Sequence, residues 1–247
     1  MNILNRLLII NIFIISITAE DIDTITAKLK IKIYNGSSIE LAEIVNVPID
    51  QPDIIYQNVN NSKSSVLYIH GFSEKPSDES VRTIVDAYLN RGTDNMFILD
   101  WSKLSSEEYF SLIPKVRVMG KITAKTFDRL FKLGLNLDTF HVIGHSMGAP
   151  LAGAIETDGT VDFFANGGKR PQPGCPNLES VQDLTGLCSH RKSWRIYAQS
   201  IKNPQAFVAL QCPSYSDYLD GNCNDNNAVY FGLSTPTDAL VFYSILS

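Results

Sequence analysis

The segment Gly144-His145-Ser146-Met147-Gly148 fits G-x-S-x-G. In that pattern a tight turn between a strand and a helix presents a serine hydroxyl as a nucleophile. Residues two positions either side of the serine must lack a Cβ for the turn to close. The helix that follows aims its positive N-terminus at a developing oxyanion, so the chemistry is acyl transfer through Ser146. Two backbone donors should hold the oxyanion. One is the N–H of Met147, after the nucleophile; the other is expected from His70-Gly71-Phe72, with Phe72 N–H as the donor. Such a serine also needs a base. Of four histidines, His141 lies inside an expected strand, His145 lies in the turn with its side chain expected beneath the sheet, and His70 reads as structural. His190 remains. It follows the serine in chain order, as an α/β-hydrolase requires.

The elements that must position these groups are legible as periodicities. Residues 28–34 alternate polar and apolar, as a half-buried strand does. Val66–Ile69, Met96–Leu99 and Phe140–Ile143 are short apolar runs that read as strands. Helical spacing is expected from Glu79 to Asn90, closed by Gly92, from about Ile113 to Leu133, and from the serine turn to Ile155. Strand and helix alternate, which implies an α/β fold with a mostly parallel sheet and helices on both faces. Function then sits at the C-terminal ends of strands, where His70, Asp100 and Ser146 fall.

The chain of 247 residues is 44% hydrophobic, enough to bury the core of one sizeable domain. Its formal net charge of -5 argues against nucleic acid as a partner. Arg6, the apolar run Leu7–Ile17 and Ala19 read in order as a secretory leader, residues 1–19. No apolar stretch reaches bilayer-spanning length, so a secreted, extracellular protein is expected, not a transmembrane one. In an oxidising compartment Cys175, Cys188, Cys212 and Cys223 suggest two disulfides. Three pairings are open; neighbour pairing, which closes two short loops, is preferred. No C-x-x-C spacing points to a metal. Asn35 and Asn60 open glycosylation sequons in polar surroundings.

Five stretches then occur in a familiar order: Ile69-His70-Gly71-Phe72; Leu99-Asp100-Trp101-Ser102; Val142 to Ala149; Asp162 to Gly168 with Pro173-Gly174-Cys175; and Cys188 to Ser193. Together they resemble the pancreatic-type (animal neutral) lipase family, nearest the insect secreted lipases and phospholipases A1 that lack a C-terminal lipid-binding domain. The resemblance covers most of residues 28–245. It implies an α/β-hydrolase domain over residues 20–247, hydrolysing carboxylic esters of lipids at a lipid–water interface without metal or organic cofactor. It also implies Ser146 as nucleophile, His190 as base, Phe72 and Met147 as oxyanion donors, and a lid clasped by Cys175 and Cys188. Between those cysteines lie only Pro176 to Leu187, a short lid that leans toward the phospholipase A1 branch.

One departure is large. In the family, the nucleophile helix leads to another strand and a Gly-Leu-Asp-Pro-type stretch bearing the catalytic acid. Here Ala149–Glu156 runs almost directly into Asp162–Gly168. Strands next to the nucleophile strand are therefore expected to be missing, together with the acid. Asp158 and Asp183 are the substitutes to consider; Asp162 matches a non-catalytic family position. The alternatives to a working hydrolase are a lipase-like pseudoenzyme of lipid-binding or yolk-like type, and an exon-skipped product.

Overall fold

The computed structural model describes residues 18–155, 161–176, 187–236, 239 and 241–245. Most of the expected leader, the junction at 156–160, Asp158, Asp183 and most of the expected lid lie outside the described residues. Strands β1 (Lys30–Asn35), β2 (Glu43–Pro48), β3 (Ser64–Ile69), β4 (Asp94–Asp100) and β5 (Phe140–Gly144) form one sheet in the order β2-β1-β4-β3-β5. The last three in that order run parallel, whereas β1 is antiparallel to both its neighbours. Helices α1 (Ala19–Thr26), α2 (Pro52–Gln57), α3 (Glu79–Arg91), α4 (Ser102–Ser105), α5 (Tyr109–Leu133) and α6 (Gly148–Gly153) connect and cover it. The fold is α/β, as the alternation of elements requires.

Side-chain alternation along β3 and β4 builds two cores. Leu67, Ile69, Phe97 and Leu99 point to one face and pack with Leu112, Met119, Phe127 and Leu130 of α5. Val66, Tyr68, Met96 and Ile98 point to the other, against Val81, Ile84, Val85 and Tyr88 of α3. Burial on both faces is why these strands read as continuous apolar runs. α3 ends where expected, at Gly92 with φ 77°. α5 begins earlier than its periodicity suggests, because Glu108 caps it by accepting the Phe110 and Ser111 N–H groups. Its first-turn residues Tyr109, Phe110 and Ile113 are exposed, so no buried stripe marks the start. α6 stops at Gly153, short of Ile155.

A second sheet, β6-β9-β7-β8, comprises β6 (Val161–Ala165), β7 (Val208–Gln211), β8 (Ala228–Tyr230) and β9 (Val241–Ile245). Among the described residues β5 pairs only with β3, so the first sheet ends at the nucleophile strand. Between β6 and β7 lies α7 (Cys188–Lys202), whose Trp194, Ala198 and Ile201 pack into the α3 core. The short α8 (Tyr215–Leu219) follows β7. No helix among the described residues is long and apolar enough to cross a membrane.

Phe97 is fully buried and meets the Phe127 ring edge-on at 5.9 Å. Phe97→Ala should destabilise the domain by about 3–5 kcal/mol. Urea unfolding followed by tryptophan fluorescence measures this; a loss under about 1 kcal/mol would contradict the described core.

Candidate active site

Ser146 sits between the end of β5 and the start of α6, exposed, with φ 54°. A non-glycine residue in this left-handed region is strained, and such strain concentrates at functional turns. The flanking glycines explain how the turn closes. A Cβ at Gly148 would lie 2.3 Å from the Ile69 carbonyl oxygen, and one at Gly144 would lie 2.3 Å from the Gly148 carbonyl oxygen. The His145 N–H donates to the Ile69 carbonyl at 2.9 Å, fastening the turn to the end of β3. That strand end is fixed in turn by Trp101, whose indole N–H donates to the His70 carbonyl at 3.0 Å. Asp100-Trp101 thus has a structural part.

A cavity of about 520 Å³ opens beside Ser146, and Phe72, Glu74, His145, His190 and Trp194 also line it. His190 arrives on the first turn of α7. Two ties hold that turn: the Cys175–Cys188 disulfide, and the Gln172 N–H, which donates to Ser189 Oγ at 2.9 Å. The Gln172 side-chain amide donates to the Ala165 carbonyl at the end of β6. The end of β6 therefore helps to position His190, on a helix that packs into the α3 core, while the ends of β3 and β5 position Ser146. Cys212 and Cys223 form the other disulfide.

The remaining histidines separate cleanly. His70 is buried, stacks on Trp101 with ring centres 5.3 Å apart, and donates from Nδ1 to the Gly71 carbonyl. His141 meets the Tyr197 hydroxyl at 3.0 Å and does not line the cavity. His145 departs from expectation. Its ring lies beside Ser146 in the cavity wall, not beneath the sheet, because Glu74 draws it there: Nδ1–H donates to Glu74 Oε2 at 2.9 Å. The His145 and His190 rings lie 5.1 Å apart, tilted by 35°.

Glu74 was not legible as a site residue; nothing in His70-Gly71-Phe72-Ser73-Glu74 marks it. It also accepts from the Gly71 N–H and the Ser80 hydroxyl. Burial would raise its pKa, but the bonds from His145, Ser80 and Gly71 and the charge available at His145 outweigh that, holding it at about 2. The His190 pKa lies below the ordinary imidazole value. Burial is the main cause, His145, Arg170 and Arg191 add to it, and Glu74 opposes it. Among the described residues no carboxylate is hydrogen-bonded to His190, and no protein group accepts from the Phe72 or Met147 N–H. Nor does any group of three or more metal-ligating side chains occur among them. Asn35 and Asn60 are both exposed; Asn60 Oδ1 accepts from the Ser62 N–H and hydroxyl.

The sequence model of the family described as Lipase matches residues 15–158 and 153–236. The chain belongs to the lipase family. Its similarity extends to bovine (Bos taurus) phospholipase A1 member A, 25% identical over 254 residues, covering 78% of this chain and 56% of the relative. Coypu (Myocastor coypus) pancreatic triacylglycerol lipase is 24% identical, covering 80% of this chain and 58% of its own. Human pancreatic lipase-related protein 2 is 25% identical, covering 83% and 57%. The chain thus spans little more than half the length of these relatives. The family match divides at residues 153–158, where the motif order of this lipase-family chain skips ahead.

Gly148→Ala tests the packing of the turn. Its Cβ would meet the backbone oxygens of both Ile69 and His70 at under 3 Å. The variant should lose about 1–3 kcal/mol of stability, read by thermal unfolding. An unchanged melting temperature would show that the turn does not press on β3.

Proposed function

We propose that the protein is a secreted lipid-ester hydrolase of the phospholipase A1 or triacylglycerol lipase type, with Ser146 as nucleophile and His190 as base. The observation that carries this is the shared cavity: an exposed, strained serine and a neutral-leaning imidazole on independently anchored elements. Ser146 Oγ attacks the ester carbonyl carbon while His190 takes its proton. The oxyanion is held by the N–H groups of Phe72 and Met147. His190 returns the proton to the departing alcohol, leaving acyl-Ser146. Water then attacks the acyl carbon, His190 accepts its proton, and the fatty acid leaves as the serine is restored.

The apolar rim supports a lipid substrate. Tyr109 lines the cavity, meets Phe72 edge-on at 5.1 Å, and adjoins the exposed Phe110 and Ile113. The two disulfides fit an oxidising compartment. The reading includes leader cleavage after Ala19, which removes Thr18, the N-cap of α1, and glycans on Asn35 and Asn60. It also includes a single domain over residues 20–247. A second reading rests on one observation: among the described residues no carboxylate orients His190. In a serine-protease template, losing that orienter lowers the rate by about 10⁴. A slow hydrolase or a lipid-binding pseudoenzyme follows from that loss.

Fluorophosphonate labelling of the mature protein, read by intact mass, separates the readings. One adduct absent from Ser146→Ala supports the hydrolase; no adduct on folded protein supports the pseudoenzyme. The sign of the pH dependence follows from His190. Only the neutral imidazole accepts a proton, and its pKa is lowered. Labelling should therefore rise to a plateau with a midpoint below about 6.5, the ordinary histidine value. A midpoint above it would contradict the described surroundings.

Phe110 is 73% exposed and Ile113 55%. The pair Phe110→Ser with Ile113→Ser should cut activity on emulsified or vesicular lipid several-fold and leave a soluble short-chain ester unaffected. Equal loss on both substrates would remove the rim from the interface.

A further inference from the structure

We infer that Glu74 and His145 form a positioning pair for His190, acting through the His145 ring, where no carboxylate among the described residues bonds to His190 directly. This rests on the reading of His190 as base. Three observations carry it. First, Glu74 is ionised and held by three donors: it accepts from the Gly71 N–H, the Ser80 hydroxyl and His145 Nδ1–H. Because a carboxylate only accepts, the contact fixes His145 as the Nδ1–H tautomer.

Second, that tautomer leaves His145 Nε2 as an acceptor, and Nε2 is buried without a hydrogen-bond partner. A buried acceptor without a partner costs free energy, which favours a donor brought to it. Third, the nearest ring is His190, 5.1 Å away between centres. At that spacing, ring nitrogens turned toward one another can reach hydrogen-bond distance, about 2.7–3.2 Å. His190 Nδ1–H can then donate to His145 Nε2, leaving Nε2 of His190 to accept the Ser146 proton. The imidazolium formed is offset by the carboxylate two bonds away. Apo hydrogen bonds in active sites are often long and tighten only with substrate bound.

Among the described residues, the charged and titratable groups acting on His190 are His145, Arg170, Arg191 and Glu74. Glu74 is the one anion among them, and it opposes three groups that disfavour the imidazolium. Its removal should therefore lower the His190 pKa and slow proton transfer from Ser146. Because Glu74 also acts on His190 directly through space, a contribution made through the ring is the part lost in His145→Gln as well.

The test uses the mature protein, with Glu74→Gln, Glu74→Asp and His145→Gln. Two readouts are taken: the His190 imidazole titration by NMR, and the fluorophosphonate labelling rate against pH. Glu74→Gln should lower the His190 midpoint by several tenths of a pH unit or more, and slow plateau labelling at least 10-fold. Glu74→Asp should recover part of both. If Glu74→Gln does not fold, His145→Gln carries the test and should slow labelling comparably. An unmoved His190 midpoint with parental labelling in a folded variant overturns the inference and leaves Ser146 and His190 in place. A shifted midpoint in a protein that never labels keeps the pair and overturns the hydrolase reading. An unmoved midpoint without labelling overturns both.

Discussion

The bond from the His145 N–H to the Ile69 carbonyl at 2.9 Å is the constraint on which the site depends. It presses the serine turn onto the end of β3, where Gly148 leaves no room for a Cβ against two carbonyl oxygens. The His70 loop on the same strand end is held by the Trp101 indole. The nucleophile, both expected oxyanion donors and Glu74 therefore share one platform, at the C-terminal ends of the paired parallel strands β3 and β5. Preorganisation of this kind is what lets backbone dipoles stabilise charge without reorganising.

The histidine has a different history. It reaches the cavity from the second half of the chain, on a helix anchored by a disulfide at its first residue and by Gln172 from the end of β6. Helix α7 packs on α3 through Trp194, Ala198 and Ile201, so His190 is placed by the core of the first sheet even though its strands belong to the second. This explains how a chain whose β5 has no further partner among the described residues can still bring Ser146 and His190 together. With a strand partner on one side only among the described residues, β5 is less buried than β3 and β4. Natural sheets commonly cover such edges.

Glu74 changes how the electrostatics of the cavity are read. Its carboxylate is held well below its ordinary range by three donors, whereas burial and cationic neighbours depress His190. An anion fixed near a base that must become a cation is a useful arrangement. Here the anion is bound to a neighbouring imidazole and also acts on His190 through space.

Much of this protein was determined by local sequence. The G-x-S-x-G turn, the apolar runs of β3 and β4, the helix ending at Gly92 and the exclusion of His70 and His141 all follow from steric and periodic rules within a few residues. The start of α5 was hidden because its first apolar residues face solvent, and the second sheet was hidden because its strands are short and pair across long separations. Only the tertiary structure decided where His145 points and that Glu74 joins the site. The two are 71 residues apart in the chain. No local propensity links them; a buried carboxylate must find donors, and the fold brings Gly71, Ser80 and His145 to it from separate elements.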